Sequence, residues 1–340
     1  MIIVLRHNAT EAEIAHVSDF LKARGLGIHL SRGVETTIIG AIGALDEQKA
    51  ALADQLSTLD CVDRVVPISK PYKVVARAFR PEGTAITVRG VTIGGPRLCV
   101  MAGPCTVESE EMLLSTARFV NAHGANVLRG GAFKPSTSPY SFHGMGEAGL
   151  RLLAEARDET GMPVITEVMD PRDVEMVGRY SDILQIGTRN MTNFTLLREV
   201  GETRMPVMLK RGWASTIEEW LQAAEYIASR GNYQIILCER GIRTFETFTR
   251  NTFDLNAIPA VKELSHLPLI ADPAHGTGRW NLVSAVARGA VAAGADGIMV
   301  EVHPTPQAAM KDGAQSLTFP SFEQMMQGIR PVAAAVSRSV

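Results

Sequence analysis

Long apolar runs are missing from this chain. No stretch reaches the roughly 18 residues that a membrane-spanning helix needs, so none is expected in these 340 residues. The apolar start, residues 1–5, meets His7, Asn8 and Glu11 too soon for a signal peptide. Cysteine is scarce: four in a chain of this length do not make a disulfide framework. Cys61, Cys99 and Cys238 lie in or beside apolar runs and read as buried thiols. A cytoplasmic, reducing location is the expectation. An excess of either charge is also missing. The net charge of -2 gives no global electrostatic case for nucleic acid or an acidic membrane surface. There is no Walker-type loop and no Ser-His-Asp constellation, and Gly130-Gly131 lacks the G-x-G-x-x-G spacing of a dinucleotide site.

What remains is an ordinary globular composition, 46% hydrophobic and 21% charged, long enough for one large domain or about two. Residues 1–70 read as a small α+β unit. Residues 2–5 are strand-like. Thr10 is placed to cap a helix over 10–24, with Glu13 completing a capping box. Gly25 and Gly27 end that helix. Two strands, 28–30 and 36–42, are joined by Arg32-Gly33. Asp46 is expected to cap a helix to Leu56, and 62–67 closes the unit. The order βαββαβ is that of a ferredoxin-like fold. Its histidines, His7, His16 and His29, are scattered, so a docking or folding module and a ligand-binding regulatory module both fit.

Residues 71–96 read as a linker with strand-like pieces around Val74 and Val88. From 97 to 340 the pattern alternates strictly. Apolar runs centre near Val100, Val127, Val164, Leu184, Val207, Ile236, Leu269 and Ile298, with helical segments such as 110–122, 147–159, 217–229 and 282–293 between them. Alternation implies a parallel sheet. Eight repeats favour a closed (β/α)₈ TIM barrel over an open doubly wound sheet.

The runs end in reactive residues, which in a barrel is where chemistry is done. Cys105 follows the first barrel strand, His275 the seventh and Glu301 the eighth, with Asp312 in the loop beyond. The eighth strand closes against the first, so these four can converge. A thiolate, an imidazole and two carboxylates suit a divalent ion such as Mn²⁺, Fe²⁺, Co²⁺ or Zn²⁺. Taken singly, each residue also has a plain reading: a buried thiol, a capping histidine, solvated acids. Arg129, Lys134, Arg189, Lys210 and Arg240 follow the second, fourth, fifth and sixth strands. Five cations at one mouth fit a substrate with phosphate and carboxylate groups. Their structural role would be pairing with Glu167, Glu239 and Asp272. Lys134 or Lys210 could move a proton if neighbouring cations lowered its pKa.

Ala102-Gly103-Pro104-Cys105, the run from Leu128 to Pro135, Ile186-Gly187 with Arg189-Asn190, Leu209-Lys210-Arg211-Gly212, Cys238-Glu239-Arg240-Gly241, Asp272-Pro273 with His275, and Glu301-Val302-His303-Pro304 together resemble one family. It is 3-deoxy-D-arabino-heptulosonate 7-phosphate (DAHP) synthase, of the type with an N-terminal ferredoxin-like regulatory domain. The resemblance covers nearly the whole chain. It implies a transferase that joins phosphoenolpyruvate (PEP) to erythrose 4-phosphate with release of phosphate, opening the shikimate pathway of aromatic amino acid biosynthesis. By that resemblance Cys105, His275, Glu301 and Asp312 match the metal ligands. Arg129, Lys134, Arg189, Lys210 and Arg240 match the PEP-binding cations, and Glu167 an acid beside them. Lys134 matches the proton donor to the aldehyde oxygen. The resemblance also implies an aromatic amino acid effector on the N-terminal unit, sought near His29 and Ser31, and a homotetramer.

Two departures fall on the aldehyde side. The family usually has Lys-Pro-Arg-Thr after the second strand, where this chain has Lys134-Pro135-Ser136-Thr137. One lost charge-assisted hydrogen bond is about 1.5–3 kcal/mol, about ten- to a hundredfold in binding. After His275 the family tends to Gly-Arg-Arg-Asp, and this chain has Gly278-Arg279-Trp280-Asn281. By the resemblance the missing arginine grips the phosphate of erythrose 4-phosphate, so either Ser136, Thr137 and Ser138 hold that phosphate through hydroxyls and backbone amides, or the aldehyde partner has changed. The related 3-deoxy-D-manno-octulosonate 8-phosphate synthases share the PEP chemistry but generally lack the N-terminal unit. A catalytically silent regulatory barrel is the alternative of a different class.

Overall fold

The computed structural model describes residues 1–32, 37–66, 71–135 and 140–340. Two compact units emerge, Met1–Pro71 and Tyr72–Val340.

The first unit runs β1 Ile2–Leu5, α1 Glu11–Lys22, β2 Gly27–Arg32, β3 Thr37–Ile42, α2 Asp46–Ser57 and β4 Val62–Val66. Its antiparallel sheet has the order β2-β3-β1-β4. Thr10 caps α1 as its sequence requires: Glu13 N donates to its hydroxyl and its own N–H donates to the Glu13 carboxylate. One face of α1, with Ile14, Val17 and Leu21, packs on Ile3, Leu5 and Ile39 of the sheet and on Leu52 and Leu56 of α2. Asp46 is not the cap of α2. That position belongs to Leu45, which offers no acceptor, and α2 is held by burial of Leu52 and Leu56. The Arg32-Gly33 turn extends beyond the described residues.

The second unit contains a short hairpin, β5 Ile86–Val88 and β6 Val91–Ile93, and eight parallel strands. These are β7 Cys99–Gly103, β8 Val127–Arg129, β9 Val164–Glu167, β10 Ile183–Ile186, β11 Val207–Lys210, β12 Ile235–Glu239, β13 Leu269–Ala271 and β14 Gly297–Glu301. They close into a barrel, with β14 paired to β7 in the register Glu301↔Gly103. The helices between and after them are α3 Glu110–Ala122, α4 Glu147–Thr160, α5 Val174–Tyr180, α6 Phe194–Glu202, α7 Ile217–Ala228, α8 Ala257–Leu264, α9 Pro273–Thr277, α10 Trp280–Ala292 and α11 Phe319–Ala335.

Period-two alternation sorts each strand into two apolar faces. Val100, Leu128, Leu184, Leu209, Leu237 and Val300 face the helices. Cys99, Met101, Ile165, Met208, Ile236, Ile270 and Met299 fill the barrel. Ile86, Val88 and Ile93 join this inner cluster. Residues 72–96 are therefore part of the barrel unit and not a linker. Their apolar side chains, too few for a core of their own, plug the end where the strands begin. Arg89 fastens the hairpin there by pairing with Asp182 at 2.6 Å, just before β10. Ile93 is fully buried. Ile93→Ala is expected to cost about 2–5 kcal/mol, read as a lower denaturant midpoint. An unchanged midpoint would mean that the plug carries no stability.

Candidate active site and metal centre

Charged residues occupy the other end, because the apolar strands stop there. At the close of β14, Glu301 is buried with its Oε1 3.1 Å from Nη1 of Arg129, the last residue of β8. Nη1 of Arg129 also donates to the Pro104 carbonyl at 2.8 Å. Cys105 stands two residues beyond β7. Its Sγ receives a hydrogen bond from Nζ of Lys134 at 2.7 Å and lies 3.2 Å from Oδ2 of Asp312. The same ammonium is 3.1 Å from that carboxylate oxygen.

The ligand atoms of Cys105, Glu301 and Asp312 all lie within 4.8 Å of one another. His275, in α9, is outside that mutual distance, but its Nε2 is 3.6 Å from Oε1 of Glu301. Asp272 caps α9 by accepting from His275 N at 3.0 Å. Its Oδ2 lies 2.9 Å from Nδ1 of His275, near enough for charge attraction but poorly aligned for a hydrogen bond. Burial pushes the His275 pKa down against the pull of Asp272 and Glu301, which favours the neutral imidazole that a metal requires. Burial also pushes the Cys105 thiol up, helped by Glu301. A bound divalent ion would reverse this, since a coordinating thiol loses its proton.

The four residues fit such an ion on their own chemistry. Two carboxylates and a thiol are packed together, and the positive charges against them are Arg129 at Glu301, Arg250 at Asp312 and the Lys134 ammonium. Burial disfavours that ammonium, but Cys105 first, then Glu301 and Asp312, outweigh it and raise the pKa of Lys134. The expectation of a lowered lysine pKa is thus reversed at Lys134: it faces the Cys105 sulfur at 2.7 Å and the Asp312 carboxylate at 3.1 Å, not other cations.

Beside this cluster lies a cavity lined by all five sequence-identified cations, Arg129, Lys134, Arg189, Lys210 and Arg240, and by Glu167. Lys210, ending β11, pairs with Asp272 at 2.7 Å. Arg240, one residue past β12, is 3% exposed, and its Nε is buried with no hydrogen-bond partner among the described residues. The same holds for Nε of Arg129. Arg211 points away from the cavity to Glu239 and Asp254, at 2.9 and 2.8 Å. Glu167 sits against Gly187, where a Cβ would fall 2.0 Å from its Oε1, so a side chain there would displace the carboxyl. Burial raises the Glu167 pKa against the opposing pull of Lys134, Lys210 and Arg189.

Further lining residues were not picked out from the sequence: Gln185, Trp213, Arg250 and Lys311. Trp213 had a weak signal, three residues past Lys210. Its ring carries Arg189 at 4.9 Å and Arg243 at 4.4 Å from the centroid. Arg250 had none, being deep in a loop. Ser136, Thr137 and Ser138 lie outside the described residues. Trp280 opens α10 and is half exposed. No helix among the described residues is long and apolar enough to cross a membrane.

Comparison with known proteins agrees with this architecture. The model of the DAHP synthetase I family matches residues 73–335, and that of the DAHP synthase ferredoxin-like domain matches residues 1–70. The chain is 50% identical over 340 residues to phospho-2-dehydro-3-deoxyheptonate aldolase of Thermotoga maritima, covering 100% of both. It is 32% identical over 270 residues to 2-dehydro-3-deoxyphosphooctonate aldolase of Syntrophotalea carbinolica, covering 74% of this chain and 96% of the relative. The crystal structure of the Thermotoga DAHP synthase superposes with a TM-score of 0.95 at 49% identity, covering 100% of this chain and 98% of that one. A truncated form of the Thermotoga enzyme gives 0.75 at 48% identity, covering 79% of this chain and 99% of that one. With the ferredoxin-like unit, the closed barrel and the mouth of cations and metal-binding groups all in place, this chain belongs to the DAHP synthetase I family.

Proposed function

We propose that this enzyme condenses PEP with erythrose 4-phosphate. C3 of PEP forms the new bond to the aldehyde carbon, water adds at C2, and the C2–O bond to phosphate breaks. The products are a 3-deoxy-2-keto sugar acid phosphate and inorganic phosphate. One observation carries this reading beyond the family. Two buried arginines that line the cavity beside the metal-binding cluster, Arg129 and Arg240, each have an Nε with no hydrogen-bond partner among the described residues. Buried donors seek partners, and a small polyanion such as PEP supplies them. Arg129, Arg189, Lys210 and Arg240 would hold its phosphate and carboxylate, and Glu167 would lie beside them. Cys105, His275, Glu301 and Asp312 would hold the divalent ion, which supplies Lewis-acid polarisation of a carbonyl. Lys134 would give its proton to the oxygen of the former aldehyde. Mn²⁺, Fe²⁺, Co²⁺ and Zn²⁺ all suit this donor set.

The expected result is phosphate release from PEP that depends on erythrose 4-phosphate and on a divalent ion. Release with another aldehyde but not with erythrose 4-phosphate would support the changed-acceptor reading, which Ser136 and the half-exposed Trp280 favour. Ser136→Arg would then restore the sugar phosphate. The first unit supports a regulatory role: its family model covers 1–70, and His29 and Ser31 are exposed two residues apart on β2, so they share a sheet face. The same assay with saturating tyrosine or phenylalanine is expected to show inhibition, and unchanged rates would remove that role. Light scattering tests the expected tetramer.

A further inference from the structure

The loop after β14 holds more than Asp312. Asp312 adopts left-handed backbone, φ 51°, and leads into a 3₁₀ turn, Gly313–Gln315. Glycine follows because a Cβ at 313 would fall 2.2 Å from the Pro306 carbonyl oxygen. The turn folds Gln315 into the interior, where it is 2% exposed. Its Nε2 donates to Oε2 of Glu301 at 2.7 Å. Its Oε1 accepts from Nη1 of Arg250 at 2.9 Å. The same Arg250 nitrogen donates to Oδ1 of Asp312 at 3.0 Å. Arg250 comes from another loop, between β12 and α8, which also runs along His275. There Asn251 N donates to Gly276 O at 3.1 Å and Asn251 Nδ2 to His275 O at 2.8 Å.

We infer that Gln315 and Arg250 form a positioning brace for the metal centre, selecting which oxygen each carboxylate presents. The inference rests on the metal-binding reading of Cys105, His275, Glu301 and Asp312. An unbraced carboxylate can rotate and offer either oxygen or both. Here Oε2 of Glu301 is taken by Gln315, which leaves Oε1 facing Arg129, at 3.1 Å, and His275, at 3.6 Å. Oδ1 of Asp312 is taken by Arg250, which leaves Oδ2 toward Cys105, at 3.2 Å. The Gln315 amide serves both partners, donating to a carboxylate and accepting from a guanidinium. A glutamate at 315 would set two carboxylates against each other. Groups behind the ligands hold them in geometry and tune the affinity of the site.

The test is a titration of the metal-free full-length protein with Co²⁺ alone, without substrate. It is followed by the thiolate-to-cobalt absorption band and by competition with a chelator. Gln315→Met keeps the length and removes both hydrogen bonds. It is expected to weaken Co²⁺ binding about 10–100-fold and to alter the shape of the band. Arg250→Met, at a side chain that is 41% exposed and tolerant of change, is expected to act in the same direction. It decides the matter if Gln315→Met does not fold. Affinity within twofold of wild type in the folded variants overturns the brace and leaves the metal reading intact. A wild-type protein with no saturable band, or a band that persists in Cys105→Ala, overturns the metal reading and the brace with it.

Discussion

Cys105→Ala is expected to lose stoichiometric divalent metal and to lower kcat/KM by about a thousandfold or more, about 4 kcal/mol of transition-state stabilisation. The reason is local. Cys105 is the sulfur donor of the cluster, and its Sγ is what Lys134 and Asp312 converge on, at 2.7 and 3.2 Å. With the sulfur gone, the ammonium keeps Asp312, at 3.1 Å, and that ion pair competes with metal for the same oxygen. Alanine removes one buried atom and adds none, so the barrel should fold. Metal content after dialysis and steady-state rates read the two effects separately. A variant holding one metal per chain with near wild-type rates would show that Cys105 is only a buried thiol. A wild-type barrel without metal or turnover would instead revive the silent reading.

Lys134→Met should be the next largest loss, about 10²–10⁴ in kcat, with metal retained and the KM for PEP changed much less. Lys134 stays an ammonium because Cys105, Glu301 and Asp312 together overcome the cost of its burial. When those groups serve a bound ion, Lys134 loses their hold, and its proton becomes easier to give. It is then a charged donor beside the place where an aldehyde oxygen would gain negative charge. Methionine fills the volume and cannot donate. Metal analysis and kinetics on the same sample decide. Loss of metal together with rate would make Lys134 a structural cation of the cluster, and a kcat within tenfold of wild type would remove it from the proton transfer.

Much of this arrangement is legible in single residues. The eight apolar runs and their spacing give the barrel, since strands buried on both faces must be apolar throughout and must stop where charge begins. Cys105, Glu301 and Asp312 stand out as metal-binding types at strand ends, and the closure of β14 on β7 explains how such distant residues meet. The hairpin at 86–93 misled, because a short apolar segment does not announce which surface it will cover. Asp46 misled for a related reason: α2 is stabilised by what it packs on, and its N-cap, Leu45, supplies no side-chain cap. The brace was invisible, because Arg250 and Gln315 lie 65 residues apart and neither has a local pattern.

The strand-end residues began as marks of where chemistry happens, and that much is a property of the sequence alone. Residue type and period are local, and they determine that acids, a thiol and cations gather at one rim. Tertiary structure decided the rest. It placed Lys134 against the Cys105 sulfur and the carboxylates of Glu301 and Asp312, which raise its pKa against the cost of burial. It lined one cavity with Arg129 and Arg240, whose buried Nε atoms have no hydrogen-bond partner among the described residues. It turned one oxygen of Glu301 and one of Asp312 toward the cluster. Charge state and orientation depend on what surrounds a group within a few ångströms, and here those surroundings come from loops far apart in the chain.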